Sequence, residues 1–207
     1  MAIAQFSKKK KDDVGTLILM FKDSVFGQYR FLSNFEACDV TLPAETVEIG
    51  ENHTLHLPPM KFDNVENAYM AWKTLDLGLR AKIAQMSPKE AKRLSLDGEI
   101  PLRPDYSDEG RLFVMTLLNE QKYSRNNPEL RKKLLETEDA CLMEGNTWGD
   151  TFFGFDLNTG HGENNLGQIL MYVRDKIRTE EGLDQVAKKT FDKVSARQLK
   201  FPSKFKM

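Results

Sequence analysis

The chain is poor in the residues that build metal and redox sites. It has two cysteines, which lie far apart and form no CxxC pair, and three histidines. His53 and His56 are three residues apart without a third ligand at metal spacing, and His161 lies among glycines without a nearby nucleophile. The sequence therefore predicts neither a disulfide framework nor a metal site. We expect buried thiols and a reducing, cytoplasmic location.

The chain also lacks long hydrophobic runs and a net charge of either sign. No segment approaches the roughly 20 apolar residues that a membrane-spanning helix needs, and the first residues, MAIAQFSKKKKDD, contain no apolar signal core. The 30 Lys and Arg residues nearly balance the 31 Asp and Glu residues, so the net charge does not indicate a nucleic-acid or membrane partner. We predict no association with a membrane.

Three motifs that mark common enzyme classes are missing as well. The sequence contains no Walker phosphate-binding loop, no dinucleotide-binding glycine fingerprint and no serine nucleophile elbow. These absences argue against a P-loop nucleotide hydrolase, a Rossmann dehydrogenase and an α/β-hydrolase. We predict that the protein uses no cofactor.

The chain of 207 residues, 40% of them hydrophobic, is long enough for one domain with a substantial core. We predict this domain over residues 16–179, with a basic N-terminal segment over residues 1–15 and a basic C-terminal tail over residues 180–207. Positions 188–206 of the tail carry seven Lys and Arg residues and one Asp. Such a tail either attracts a polyanion or is a solvated, mobile terminus, and we favour the second interpretation.

Apolar segments bounded by turn residues predict strands mostly in the first third of the chain. They are Thr16–Phe21, Tyr29–Phe35, Cys38–Leu42 and Thr54–Leu57, with Ala140–Met143 as a further candidate. After Pro59 the pattern becomes helical. The predicted fold class is therefore α+β, a helix-rich single domain with a small antiparallel strand region mainly in the first third.

Capping residues predict where several helices begin. Asp63 is positioned to cap a helix whose apolar face includes Val65 and Trp72. The segment Ser87-Pro88-Lys89-Glu90 has the form of a capping box with proline at the first helical position. Ser107 or Asp108 is expected to begin a longer helix.

The most informative segment is the glycine-punctuated loop that leads into the last helix, residues 146–174. Four glycines interrupt the loop, and its aromatic residues argue against disorder. Asn164 or Asn165 can cap the helix that follows. A capped helix start after a glycine-rich turn offers free N–H groups and the positive end of the helix dipole, so the segment predicts a phosphate site. The alternative is a surface loop followed by an ordinary core helix.

Glu66 and Lys73 are the leading pair of charged candidates. They are seven residues apart on one predicted helix, so they lie on nearly the same side, beside the apolar stripe. A carboxylate at the edge of a core either has a raised pKa or stays an anion facing a developing cation, and Lys73 would favour the anion. The alternative is an acidic capping box, in which Glu66 accepts from the backbone N–H of Asp63. Spacing alone favours the capping box.

Five further residues each have a functional and an ordinary interpretation. Trp148 either stacks on a ligand ring or anchors its loop. Asp150 and Glu163 either contact ribose hydroxyls or are solvated loop acids. Asn34 either bonds a ligand amide or belongs to a turn, and Arg174 meets either a phosphate or an internal carboxylate.

Several short motifs, taken in their order along the chain, resemble one family. They are Leu32-Ser33-Asn34-Phe35, Val65-Glu66-Asn67-Ala68-Tyr69 with Lys73, Ser87-Pro88 with Ala91-Lys92, Arg103-Pro104-Asp105, Val114-Met115, Trp148-Gly149-Asp150, and Asn164-Asn165-Leu166-Gly167-Gln168-Ile169-Leu170-Met171 with Arg174. This set resembles the NADAR family, which is named for a proposed link to NAD and ADP-ribose metabolism and includes YbiA-like N-glycosidases. The resemblance extends over roughly Phe21 to Arg178, and the ordered set is far more specific than any single motif.

The resemblance implies a YbiA-like fold and hydrolysis of the N-glycosidic bond between a phosphorylated ribose and a base or amine. YbiA-like members act on intermediates of riboflavin biosynthesis, and some members of the family are associated with removing ADP-ribose from guanine in nucleic acid. The expected partner is therefore a small phosphorylated nucleotide-like substrate or an ADP-ribosylated nucleic acid.

Site residues follow from the resemblance position by position. The family's helix glutamate corresponds to Glu66, its tryptophan-glycine pair to Trp148-Gly149, and its asparagine-leucine-glycine segment to Asn165-Leu166-Gly167. The implied catalytic residues are Glu66, which would stabilise the sugar cation, and Asp150. The implied substrate-binding residues are Asn34, Lys73, Trp148, Gly149, Glu163, Asn165, Gly167 and Arg174.

The chain departs from the family pattern at two positions. Gly145 stands where the family often has an aspartate, three residues before the tryptophan, and Asp105-Tyr106 replaces an aspartate-tryptophan pair. If the missing acid were essential, its work would fall to Asn146, Asp150 or Glu163. The alternative function is a non-catalytic module that binds ADP-ribose or a related nucleotide.

Overall fold

The structure is a computed structural model that describes residues 18–21, 28–51 and 53–183. These residues form two compact units, one from residues 34–127 and the other from the described parts of residues 1–33 and 128–207. The predicted basic N-terminal segment lies outside the described residues, as does all but the beginning of the predicted C-terminal tail. Fold class α+β is confirmed, and the domain boundaries stay predictions.

Along the described chain most strands come first, five helices follow, and two further strands precede the last helix. The strands are β1 (Ile18–Phe21), β2 (Ala37–Leu42), β3 (Glu45–Gly50), β4 (His53–Leu57), β5 (Met60–Asn64), β6 (Cys141–Asn146) and β7 (Phe155–Asp156). The helices are α1 (Val65–Trp72), α2 (Leu77–Ala84), α3 (Pro88–Leu96), α4 (Asp108–Lys122), α5 (Pro128–Leu135) and α6 (Asn165–Glu180).

The unit of residues 34–127 contains antiparallel strands, of which the sequence predicts β2 and β4 but not β3; β5 follows Pro59, where the sequence predicts helices, so the helical region begins later than predicted. Strand β2 pairs with β5, and β3 pairs with β4, both antiparallel. Strand β5 runs directly into α1, and every residue of α1 is buried, with Val65, Ala68 and Ala71 fully inaccessible. Helices α2, α3 and α4 all pack against α1. A helix buried all round is held by its neighbours, so its position is determined by tertiary packing.

The other unit is built on a parallel sheet that the sequence does not predict. Strand β6 lies between β1 and β7 and runs parallel to both. Helix α6 packs against β6, and α5 packs against α6. The sheet joins Ile18 to Cys141, residues more than a hundred positions apart. Local alternation indicates that a segment is a strand but not which partner it has, so the prediction missed this pairing.

The strand predicted over Tyr29–Phe35 is wrong. Residues Arg30–Leu32 form a 3-10 turn, with the N–H of Leu32 donating to the carbonyl of Tyr29 at 3.0 Å. Phe31 and Leu32 are both buried although they are adjacent. In a half-buried strand adjacent side chains point to opposite faces, so a compact turn buries this apolar pair where a strand would expose one member.

Two predicted helix starts are confirmed in detail. The hydroxyl of Ser87 accepts from the N–H of Glu90 at 3.3 Å, and the Glu90 carboxylate accepts from the N–H of Ser87 at 2.9 Å. Helix α3 therefore begins with the predicted capping box and has Pro88 at its first position. Helix α4 begins after Ser107, whose hydroxyl accepts from the N–H of Gly110 at 3.2 Å.

Replacing Ser87 by alanine is expected to lower the free energy of unfolding by about 1 kcal/mol, because the N–H of Glu90 loses its acceptor. Urea denaturation followed by circular dichroism measures the change. Lys89→Ala, an exposed position in the same turn, is the control and should leave the midpoint nearly unchanged. Equal midpoints for the Ser87 variant and the wild type would show that this box adds nothing to stability.

Candidate active site

Glu66 lies at the beginning of α1, and its side chain is buried, with 4% of the residue exposed. The cap of α1 is Asn64, whose side chain accepts from the N–H of Asn67 at 2.8 Å. The predicted cap at Asp63 is therefore wrong by one residue, because β5 keeps the chain extended through Asn64. A capping-box acid stands at the third helical position, which Asn67 occupies. The structure thus contradicts the capping-box interpretation of Glu66.

Asn34 lies beside Glu66 in the same unit. Its carbonyl oxygen accepts from the N–H of Glu66 at 3.1 Å, and its side-chain Nδ2 donates to Sδ of Met115 at 3.4 Å. The Oδ1 atom of Asn34 is buried and has no hydrogen-bond partner among the described residues. An unsatisfied buried acceptor costs folding free energy, and native structures retain such atoms more readily at functional sites.

Lys73 follows the last residue of α1, seven positions after Glu66. Its Nζ donates to Oγ of Ser95 at 2.8 Å and lies 5.0 Å from the ring centroid of Tyr69. The carbonyl of Lys73 accepts from the N–H of Arg103 at 2.7 Å. These contacts tie the end of α1 to α3 and to the segment around Arg103, so the cation has a defined place in this unit.

Buried arginines hold the C-terminal end of α1. Arg103 donates to both carboxylate oxygens of Glu45 and of Asp105, and also to the carbonyl of Trp72. Arg80, fully buried, donates to Glu45 at 3.0 Å. Bidentate pairs of this kind are directional, so they fix the helix on which Glu66 lies.

The second group of predicted site residues lies on the loop between β6 and α6, in the other unit. Trp148 is 48% exposed, and Gly149 has a φ of 82°, in the left-handed region. Asp150 is half-buried, and its Oδ1 accepts from the N–H groups of Phe152 and Phe153 at 3.1 and 3.0 Å. The turn thus presents an exposed indole two residues from a carboxylate with one constrained oxygen.

Most of the N–H groups at the start of α6, where the sequence predicts a phosphate site, are bonded within the fold. The backbone N–H groups of Glu163, Asn164, Asn165 and Leu166 donate to the carbonyls of Thr151, Gly154, Phe152 and Phe153, in that order. An N-terminus binds phosphate through N–H groups that point at the ligand. Here the preceding loop folds back and supplies the acceptors itself, so these four donors are already satisfied.

Asn164 occupies the cap position of α6 as predicted, but its side chain does not cap the helix. It has a φ of 54°, and its amide pairs with β6: Oδ1 accepts from the N–H of Glu144 at 3.0 Å, and Nδ2 donates to the carbonyl of Leu142 at 2.9 Å. Gly167 lies over the same strand, where an added Cβ would stand 2.2 Å from the Leu142 oxygen. Both residues therefore join α6 closely to β6.

The remaining predicted residues have clear contacts in this unit. Nδ2 of Asn165 donates to the carboxylate of Glu163 at 2.8 Å. Arg174 is buried, and its guanidinium donates to Oγ1 of Thr137 and to the carbonyl of Ala140 at 2.8 and 2.9 Å. Burial lowers the pKa of Arg174 from its ordinary value. Of its two predicted roles, these contacts match the internal one, since Nε of Arg174 also lies 4.0 Å from the carboxylate of Asp175.

Neither thiol is prepared for nucleophilic chemistry. Both cysteines are free. Burial raises the pKa of the Cys38 thiol to about 11, and burial also raises the pKa of Cys141. A thiol reacts as the thiolate, so raised pKa values leave both groups protonated near neutral pH. Among the described side chains, carboxylates are therefore better candidates than thiols for the reacting group.

The described residues contain neither a metal-binding cluster nor a membrane-spanning helix. Within the described residues, no set of three or more His, Cys, Asp and Glu side chains is arranged to hold a metal ion. Every helix in the described segments falls short of the length and hydropathy that crossing a lipid bilayer requires.

The structure divides the predicted site residues between the two units. Asn34, Glu66 and Lys73 belong to the unit of residues 34–127, and the other seven belong to the second unit. The sequence interpretation assigned no structural contact to Asn146, which the structure places at the centre of the loop's hydrogen bonds. A polar residue at the end of a predicted strand, just before a glycine turn, was the available signal.

Comparison with known proteins agrees with the fold and the motifs. The chain matches the family model described as the NADAR domain over residues 20–178. It is 30% identical over 159 residues to the N-glycosidase YbiA of Escherichia coli strain K12, covering 76% of this chain and 88% of that protein. The NMR structure of E. coli YbiA superimposes with a TM-score of 0.59 at 26% identity, covering 80% of this chain and 89% of that one.

Two further relatives bear on the activity. An N-glycosidase of Nostoc punctiforme is 32% identical over 132 residues, covering 61% of this chain and 81% of that protein. A riboflavin biosynthesis protein of Vibrio vulnificus is 32% identical over 149 residues, which is 72% of this chain but only 35% of the Vibrio protein.

The chain belongs to the NADAR family, as its motifs predict. Its similarity to N-glycosidases over most of its length makes it a hydrolase of the N-glycosidase type.

Proposed function

We propose that the protein hydrolyses the N-glycosidic bond of a phosphorylated ribosyl or ADP-ribosyl compound, including ADP-ribose attached to guanine in nucleic acid. The observation that carries this proposal is the buried carboxylate of Glu66 at the second position of α1. Burying a carboxylate is costly, and Glu66 corresponds to the glutamate of the family's helix motif. We therefore assign the reacting carboxylate to Glu66.

The proposed reaction needs one carboxylate at the sugar. As the bond between the anomeric carbon and the base nitrogen breaks, positive charge builds on the ribose, in an oxocarbenium-like transition state. Water adds its oxygen to the anomeric carbon, and one water proton ends on the departing nitrogen. Glu66 would stabilise the positive charge and align or deprotonate the water. The oxygen of Asn34 would accept a hydrogen bond from the substrate, and Lys73 would bind its phosphate or keep Glu66 ionised.

The loop residues are proposed to bind the substrate. Trp148, half-exposed next to Gly149, would stack on the leaving base. Asp150 and Glu163 would accept hydrogen bonds from the ribose hydroxyls, and Asp150 is the second candidate catalytic group.

Three residues near α6 are proposed to have a structural role within their unit. The contacts of Asn165, Gly167 and Arg174 all lie within the fold, so we propose that they support the loop and α6 and do not themselves contact the substrate. The cytoplasmic location stays a prediction.

The purified protein is expected to release the base from an N-glycoside of ribose 5-phosphate, to release ADP-ribose from ADP-ribosylated guanine in DNA, or to do both. Liquid chromatography of the released base or of the released ADP-ribose, with a no-enzyme blank, measures turnover. Binding of ADP-ribose without release from either compound would contradict hydrolysis and leave the non-catalytic nucleotide-binding module as the function.

Changing the charge of the predicted C-terminal tail distinguishes a nucleic-acid substrate from a free metabolite. Changing the tail lysines to glutamine in the full chain should weaken binding of ADP-ribosylated DNA and reduce its salt dependence, because fewer phosphates are neutralised. Turnover of a free phosphoribosyl compound should stay the same. Equal salt dependence of DNA binding in the two proteins would contradict a role of the tail with nucleic acid.

A further inference from the structure

Asn146 is the last residue of β6 and is completely buried. Its backbone carbonyl accepts from the N–H of Leu157 at 2.8 Å, which fixes its main chain beside β7. Its side chain therefore starts from a rigid strand and not from a flexible loop. Groups held on a regular element are placed more accurately than groups held on a loop.

The side-chain amide of Asn146 bonds to the turn that follows it. Oδ1 accepts from the N–H groups of Trp148 and Asp150 at 3.3 and 3.0 Å, and Nδ2 donates to the carbonyl of Asp150 at 2.7 Å. One amide thus binds the main chain of both residues that the proposed function places against the substrate. A longer or shorter side chain would not make all three bonds from this position.

Gly154 leaves room for this amide. A Cβ built on Gly154 would stand 2.6 Å from Nδ2 of Asn146 and 3.0 Å from the carbonyl oxygen of Glu144. The first contact is shorter than real Cβ atoms make and the second is tight, so a side chain at position 154 would displace the Asn146 amide. The amide is enclosed on that side and is held in one orientation.

Trp148 and Asp150 are both more exposed than the side-chain amide of Asn146 that binds their main chain. Trp148 is 48% exposed, and Asp150 is half-buried with Oδ1 accepting from the N–H groups of Phe152 and Phe153. No described residue donates to Oδ2 of Asp150, and this atom is not among the buried unsatisfied ones. Oδ2 is therefore open to solvent and to a ligand.

We propose that Asn146 is a positioning residue that holds the indole of Trp148 and the carboxylate of Asp150 as a preorganised pair for the substrate. The inference rests on the proposed function, because it takes both groups to contact the ribosyl compound. Groups already fixed in the binding geometry lose little conformational entropy when the substrate arrives. In this proposal Asn146 contacts no reacting atom. Its amide also does not take over the role of the aspartate that the family often has at the position of Gly145.

Tryptophan fluorescence reads the position of Trp148 without any substrate. The chain has two tryptophans, so Trp72→Phe leaves Trp148 as the one reporter. In this background Asn146→Ala should increase quenching by acrylamide and lower the fluorescence anisotropy, because the turn loses three hydrogen bonds. Asn158→Ala is the matched control, since Nδ2 of Asn158 donates to the neighbouring carbonyl of Thr147 from an exposed position. Unchanged quenching in the Asn146 variant would overturn the proposal.

Steady-state kinetics then tests whether the positioning matters to the reaction. Asn146→Ala should raise KM and lower kcat/KM by about 10- to 30-fold, as expected for one to two net hydrogen bonds lost from a binding geometry. In a double-mutant cycle the same change should have little further effect when Trp148→Ala and Asp150→Ala are already present. Fully additive effects would overturn the proposal, because Asn146 would then act independently of these two residues.

Two controls keep the outcomes distinct. Urea denaturation shows whether Asn146→Ala still folds; if it does not, Asn146→Ser keeps a small polar side chain without adding a buried charge, lacks the amide, and should change the same readouts in the same direction. If the wild type turns over none of the probe compounds, the proposed function fails, whereas the quenching of Trp148 still decides whether Asn146 holds the indole.

Discussion

Glu66→Gln is expected to lower kcat by about 10²- to 10⁴-fold while the protein stays folded. Glutamine has nearly the same shape, so the packing at the start of α1 should survive. It carries no negative charge and cannot accept a proton from water, so it would stabilise the sugar cation poorly. The release of base or of ADP-ribose from the substrate that the wild type cleaves measures kcat, and thermal denaturation measures folding.

Glu109→Gln is a closely matched control for this substitution. Glu109 is also the second residue of its helix, α4, but it is exposed. Both changes remove a negative charge near a helix N-terminus, an effect worth about 0.3–1 kcal/mol on stability. Only Glu66→Gln should reduce turnover. A folded Glu66 variant with undiminished kcat would show that Glu66 is not the catalytic group.

Gly167→Ala is expected to destabilise the protein by about 3 kcal/mol, the upper part of the range for overpacking a tight interior. In an ordinary helix this change would stabilise by about 1 kcal/mol. Here the added Cβ would stand 2.2 Å from the carbonyl oxygen of Leu142 and 2.5 Å from Nδ2 of Asn164. Helix α6 must move away from β6 to relieve these contacts, which breaks the amide pairing of Asn164 with the strand.

Urea denaturation measures this loss, with Gly78→Ala as the matched control. Gly78 lies within α2 and is exposed, and its nearest atom to an added Cβ is the side-chain oxygen of Asp76 at 3.2 Å. This oxygen also caps α2 by accepting from the N–H of Leu79 at 3.0 Å, so a small shift of the cap can offset the gain in helix propensity, and Gly78→Ala should change stability by less than about 1 kcal/mol. If Gly167→Ala were as stable as the wild type, the close packing of α6 on β6 would not constrain this position.

The start of α1 shows how far local patterns lead. The sequence predicts a helix here with Asp63 as its cap; the helix is present, but Asn64 caps it. Asp63 and Asn64 are both good caps, and the choice between them depends on how far β5 extends. That length is set by pairing with β2, in which Ala37 lies opposite Asn64. A shift of one residue removes Glu66 from the capping box and leaves it as a buried carboxylate.

For the loop before α6, the predicted helix start is correct, but the N–H groups predicted to bind phosphate are mostly bonded within the fold. The helix begins at Asn165 and follows a glycine-rich loop, as predicted. The free N–H groups that would bind phosphate are absent among residues 163–166, because carbonyls of residues 151–154 accept from them. A pattern shows that a helix start has donors to satisfy. It does not show which acceptors the fold brings to them.

The sequence by itself determined the α+β class, the capping box of α3 and the cap of α4, because these depend on residues within one or two turns of each other. Its ordered motifs also determined the family. Only the tertiary structure decided that Glu66 is buried, that β6 pairs with β1 and β7, and that Gly167 must have no side chain against Leu142. Each of these depends on atoms from segments far apart in the chain. Spacing along a sequence carries no information about such contacts, whereas packing and hydrogen bonding in the folded chain determine them.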